Sequence, residues 1–219
     1  MNLARKLLTE FAGTFIFLAV IALSGPMGPL APIAIGSALM VMVYMGGHVS
    51  GGHYNPAVSF GLFLRRKLNA GTMAAYWVAQ LIAAVLAFIF GYLVSGRTPG
   101  IQPGSGVNVA SALGVEVLFT LGLVLTVLNV AATRATEGNS FYGLAIGFAI
   151  VVGAFAGGPI SGGAFNPAVG VGATLSAAVF HGGSWSNLWL YIVAPLIGAV
   201  IAAGIHYLQV TGAEGRHGA

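Results

Sequence analysis

Few side chains in this sequence can do chemistry. Charged residues make up only 5% of 219, and there is no Asp and no Cys, so disulfides and thiol chemistry are excluded. The polar groups that remain fall into three sets. Two asparagines lie in near-identical stretches, Ser50-Gly51-Gly52-His53-Tyr54-Asn55-Pro56-Ala57-Val58 and Ser161-Gly162-Gly163-Ala164-Phe165-Asn166-Pro167-Ala168-Val169, which sit 111 positions apart and match at seven of nine positions. Two carboxylates, Glu10 and Glu116, lie inside apolar segments. Five histidines are dispersed. No carboxylate pair stands near a nucleophile and no metal-ligand cluster is visible, so the pattern suggests neither an enzyme nor a cofactor or metal site. A carboxamide offers something milder: its oxygen can cap a helix while its NH2 donates to a passing polar solute.

Each stretch reads as a helix start. Asn is a strong N-cap, Pro is favoured at the first helical position, and the preceding Gly pair permits a sharp turn. The apolar run after Pro56 stops at Arg65-Arg66-Lys67, giving a helix of ~14 Å at ~1.5 Å per residue, about half of a ~30 Å hydrocarbon core. The run after Pro167 ends at Phe180 and is also too short to span. Two capped half-helices in matching places point to a midplane site built from broken helices.

With 58% apolar residues the chain cannot wet its own surface, and a multi-pass membrane protein is expected, with the lipid bilayer as its partner. The net charge of +4 does not suggest nucleic acid. Thirty-four glycines, scattered through apolar runs, suit close helix packing in lipid. The basic lead Met1–Lys6 resembles a signal peptide, but its segment reappears in the second half, so Leu7–Leu23 is read as the first span. Further spans are expected at 31–49, 72–94, 109–131, 141–157 and 188–210. The chain divides into repeat one (1–95), a Gly/Pro-rich linker (96–106), repeat two (107–210) and a polar tail (211–219). The expected fold is all-α: six spans plus two half-helices in an inverted 3+3 repeat. If both termini are cytoplasmic, Arg5, Lys6, Arg65, Arg66, Lys67, Arg134 and Arg216 share that side, and Arg97 stands opposite. Compact loops and the missing Cys suggest a prokaryotic inner membrane.

The paired Asn-Pro-Ala boxes resemble those of the aquaporins, the major intrinsic protein family, and the resemblance extends over nearly the whole chain. It implies a passive channel and a homotetramer with one pore per subunit. The central constriction would be Asn55, Pro56, Ala57, Asn166, Pro167 and Ala168. By family analogy the narrow filter takes one residue from the second span, one from the fifth, one three positions before the second Asn, and one directly after the second box. Counted without gaps these are Ile35, Ala154, Gly163 and Val169. Most members are similar in having Arg where this chain has Val169, and water-selective ones add an aromatic and a His. This filter is similar instead to the Arg-less subset, some of whose plant vacuolar members pass urea, ammonia and hydrogen peroxide besides water. Glycerol-conducting members usually carry Asp where Gly170 stands.

Physics supplies a mechanism for such a pore. Two helix N-termini meeting at the centre place ~+0.5 charge each on a cation's path. At ~5 Å and an effective dielectric of about 20 the repulsion is on the order of 3 kcal/mol. With both amide groups free to donate, a water held by its oxygen cannot relay protons, while neutral solutes pass. Without Arg, the filter has fewer donors and no fixed charge. It is then either wider or, if narrow and apolar, dewetted.

Glu10 and Glu116 have two readings, a proton relay or structural acceptors for irregular backbone in each half; the internal symmetry favours the second. His53 either faces the pore or braces its loop, and His48 is read as structural. The rival functions are a channel mainly for urea, ammonia, hydrogen peroxide or glycerol, an ion-coupled transporter, and a poorly conducting membrane-organising protein. No paired midplane ionisable groups favour the transporter.

Overall fold

The computed structural model describes residues 2–97 and 99–210; the expected tail, with Arg216, lies outside them. Eight α-helices are found among the described residues: α1 (Leu3–Leu23), α2 (Ala31–Ser50), α3 (Pro56–Leu64), α4 (Ala70–Ser95), α5 (Val109–Ala131), α6 (Tyr142–Ser161), α7 (Pro167–His181) and α8 (Leu188–Val210). Six segments are long and apolar enough to cross a membrane, and α3 and α7, at 9 and 15 residues, are too short. The fold is the expected all-α membrane bundle.

Three spans begin where an Asn side chain caps them. Asn2, Asn69 and Asn108 accept from the amides of Arg5, Thr72 and Ser111 at 2.8–3.0 Å. Capping starts α1 and α4 earlier than hydropathy suggests, at Leu3 and Ala70. At the other end α6 runs through Pro159 to Ser161, past the expected end near Gly157.

The helices pair as two copies of one unit. α1 packs on α4 as α5 packs on α8, and each half-helix lies against the last span of the other copy, α3 on α8 and α7 on α4. The copies meet along α2 and α6. Gly36 and Gly147 mark their closest approach: a Cβ on either would fall 2.6 Å from the other's carbonyl oxygen. Backbones this close are how helices associate in lipid, where no hydrophobic force draws them together.

Gly36→Ala is therefore expected to destabilise the bundle by roughly 1–3 kcal/mol, the usual cost of overpacking. Gly114→Ala, where a Cβ meets nothing within 4 Å, is the control and should leave the protein unchanged. Thermal unfolding in detergent reads both.

Candidate functional site

Asn55 and Asn166 start α3 and α7 as N-caps. Their Oδ1 atoms accept from the Ala57 and Ala168 amides at 2.8 and 2.9 Å. The backbone before each Asn reverses direction through residues at positive φ: Gly51, Gly52 and Tyr54 in one half, Gly162, Gly163 and Phe165 in the other. Tyr54 (φ 49°) and Phe165 (φ 48°) carry side chains in a region that disfavours them, so their surroundings must hold them there. The carbonyls turned out by this strain are the ones the two halves exchange. Asn55 Nδ2 donates to the Phe165 oxygen at 2.9 Å, and Asn166 Nδ2 donates to the Tyr54 oxygen at 3.0 Å. The free amides of the sequence reading are thus half engaged: each Asn spends one N–H on the opposite loop, leaving the second.

Behind each loop sits a carboxylate. Glu10 accepts from the His53 and Tyr54 amides at 2.9 and 2.8 Å, one on each oxygen, and Glu116 accepts from the Ala164 and Phe165 amides at 2.9 and 2.7 Å in the same way. Ser50 and Ser161 donate to the same carboxylates at 2.7 Å, and their hydroxyls accept from the Gly52 and Gly163 amides at 3.1 Å. Tyr76 and Tyr191 donate to the carbonyls of those serines at 2.7 and 2.6 Å. Both carboxylates are wholly buried, and these charge-assisted bonds stand in for lost hydration.

One part of this frame is not duplicated. Gln80 donates to Glu10 at 2.8 Å and to Ser59 at 3.2 Å, and Ser59 meets His53 Nδ1 at 3.0 Å. The matching positions of the second half hold Pro195, Gly170 and Ala164. His53 both braces its loop and borders the cavity described next. Ser50 and Ser161 recur in both stretches, a signal the sequence reading left unused. Ser59 and the two tyrosines carry no local signal and were missed, and Gln80 was visible inside its span without a partner to name.

A cavity of about 280 Å³ opens from the junction of the two boxes. Asn55 and Asn166 border it together with Ile35, Ala154, Gly163 and Val169, so the structure brings all four counted filter positions to one space. The remaining wall is largely aliphatic, with Leu39, Val58, Leu123 and Ile150 among its members. Pro99, Gly100 and Ile101 also border it, so the segment expected to be a plain linker contributes to the wall. That segment is tied to the end of α6 by a bond from the Gly104 amide to the Ile160 oxygen at 2.9 Å. His48 is not part of this space. It is exposed and borders a second cavity of about 500 Å³, with Gly51, Arg134, Glu137 and Tyr142. No group of three His or acidic side chains able to hold a metal occurs among the described residues.

Known proteins resemble this chain in sequence and in fold. The profile of the "Major intrinsic protein" family matches residues 1–207. The chain is 37% identical over 217 residues to "Probable aquaporin TIP3-2" of Oryza sativa subsp. japonica, covering 92% of this chain and 80% of that protein. It is also 37% identical over 215 residues to "Glycerol uptake facilitator protein-like 6" of Lactiplantibacillus plantarum, covering 91% of this chain and 95% of that one. In fold it matches the X-ray structure of the aquaglyceroporin from Plasmodium falciparum, with a TM-score of 0.85 at 22% identity, over 96% of this chain and 98% of that chain. Relatives from plants and a bacterium alike give no support to the prokaryotic origin expected from the short loops.

Glu116→Gln turns one of two acceptor oxygens into a donor facing a backbone N–H. Hydrogen bonds to a charged group contribute ~1.5–3 kcal/mol each, and at least one is lost here. A melting temperature several degrees below wild type in detergent is the expected result.

Proposed function

Because the chain belongs to the major intrinsic protein family, we propose that it forms a passive pore for water and small neutral solutes, with paired Asn-Pro-Ala boxes at its centre and an apolar filter lacking Arg. The family consists of channels: the protein is an integral, multi-pass membrane channel and not an enzyme. The observation that carries the finer reading is the single cavity that Ile35, Ala154, Gly163 and Val169 share with the two asparagines.

The chemistry of that wall sets the selectivity. A solute beside Val169 meets methyl groups where a guanidinium would offer five N–H donors. Water gains nothing over a larger neutral molecule at this point, so urea, ammonia, hydrogen peroxide and glycerol fall within the proposed solute range. Ions are rejected at the centre, where the N-termini of α3 and α7 meet and each Asn keeps a donor. The names of the relatives divide the same way, one an aquaporin and one a glycerol uptake facilitator. We further propose repeats at 1–95 and 107–210 joined by 96–106, both termini cytoplasmic, and a homotetramer. The homotetramer rests on the resemblance to the family, since exposed apolar side chains occur on every span and are equally suited to lipid.

A second reading rests on the same wall. An apolar constriction that is narrow enough expels water and closes. One variant separates the two in proteoliposomes followed by stopped-flow light scattering. If the filter is wide, wild type conducts water and urea, and Val169→Arg lowers urea flux about tenfold while water is retained, the effect of adding ~1.4 kcal/mol to one barrier. If the ring is dewetted, wild type conducts neither and Val169→Arg restores water. Wild type conducting both, with the variant altering neither flux, would remove Val169 from the filter.

A further inference from the structure

We propose that the groove between the end of α3 and the last turns of α8 is a binding site for an anionic membrane phospholipid, its phosphate held by Arg65 and Arg66 and one acyl chain lying along α8. The groove has a volume of about 660 Å³ and is lined by Leu64, Arg65, Arg66, Val200, Ala203, Gly204 and Tyr207. That size falls within the range of small-molecule pockets. Its chemistry is divided as a phospholipid is divided, with two guanidinium groups at one end and an apolar wall at the other.

Arg65 is fixed rather than trailing in water. Its Nε donates to His206 Nδ1 at 2.8 Å, and its guanidinium carbon lies 5.1 Å from the centre of the Tyr207 ring. The Nε bond and the ring orient the planar fork and leave its terminal amino groups for an acceptor. A fork held this way suits two phosphate oxygens at once. Arg66 is brought alongside by the turn that closes α3. The Arg66 and Lys67 amides return to the Phe63 and Leu62 carbonyls at 2.9 Å, which puts Arg66 at φ 56° with its side chain exposed. Lys67 adds a third, exposed positive charge.

The apolar half is cut by one residue. A Cβ on Gly204 would meet nothing within 4 Å, so this turn of α8 presents a furrow between exposed Val200 and Tyr207. An acyl chain can lie in such a furrow; a free phosphate or a soluble anion has no use for it. α8 is a membrane-crossing helix, so its outer side faces lipid at the depth where headgroups begin. A lipid bound here would touch α3, the helix that Asn55 caps, from its far end.

Native mass spectrometry of the full chain in neutral detergent, titrated with dioleoyl phosphatidylglycerol or dioleoyl phosphatidylcholine, tests the site. Wild type should bind phosphatidylglycerol at least about tenfold more tightly, two charges being engaged. Arg66→Gln should weaken it about fivefold, as loss of one basic group near the headgroups does. Gly204→Leu keeps every charge and fills the furrow, and should weaken it by a similar factor. Both substituted positions are open, so both variants should melt at the wild-type temperature without added lipid, and the rise in melting temperature that phosphatidylglycerol gives wild type should shrink in each. Equal binding of the two lipids overturns the proposal. So does loss in Arg66→Gln with wild-type binding in Gly204→Leu, which means diffuse attraction to a basic surface. Displacement of phosphatidylglycerol by an equal concentration of glycerol 1-phosphate also overturns it, since the acyl chain would then contribute nothing.

Discussion

Backbone that leaves the helix inside a bilayer must find its hydrogen bonds within the protein, because the hydrocarbon offers none. Residues 51–54 and 162–165 are such backbone, and the polar architecture of this molecule can be traced to their needs. The amides just before each box turn away from the cavity to a buried carboxylate. Serine hydroxyls take the preceding amides, and tyrosine hydroxyls reach the serine carbonyls. The last carbonyl of each loop is served by the Asn of the other half. Neither loop is complete alone, so the two copies are one folding unit at their centre although they are duplicates in sequence.

This arrangement also sorts charge. The carboxylates stand behind the loops, wholly buried, and the amides that could have pointed into the cavity point at them instead. What reaches the solute is the remaining Asn N–H from each side and the positive ends of two short helices. In the proposed pore a neutral molecule with a lone pair would be held there, and a cation would meet like polarity from both halves. Farther out, the wall of Ile35, Ala154, Gly163 and Val169 adds no charge of either sign. Rejection of ions and choice among neutral solutes would thereby fall to different features of that proposed pore, one to backbone geometry and one to side-chain size.

Much of this is legible in the sequence because it follows local rules. Asn before Pro, a Gly pair before both, and an apolar run cut short identify the half-helices, and their recurrence 111 positions later gives the symmetry. The same capping rule applied to Asn2 and Asn69 would have found the true starts of α1 and α4, which hydropathy alone sets too late; at Asn108 the two signals agree. α6 outruns its expected end because Gly162 caps it at φ 92°, as Gly51 at φ 98° caps α2, a local signal in the repeated stretch that hydropathy does not read. Tyr76 and Tyr191 were illegible because their acceptors are distant, and a tyrosine in an apolar helix looks alike whether it meets a loop or a lipid. Ser50 and Ser161 head both repeated stretches, a signal left unused. Half of each Asn amide was misjudged because its acceptor lies more than a hundred residues away.

Where the halves stop matching, the difference follows from what each loop must face. The frame of carboxylate, serine, tyrosine and Asn is the same in both halves, its bonds differing by no more than about 0.1 Å. Around it the first half is held by polar contacts, Gln80 to Glu10 and Ser59, and Ser59 to His53. The second half replaces these with close packing. A Cβ on Gly170, the counterpart of Ser59, would lie 2.6 Å from the Tyr191 Cβ, so α7 and α8 touch too tightly there for a hydroxyl. Pro195, opposite Gln80, has no N–H to satisfy and no amide to offer. The consequence is that Ala164, Val169 and Gly170 need no polar neighbours. The cavity wall at Ala164 and Val169, part of it proposed as the filter, can therefore be apolar without a polar partner having to be supplied there.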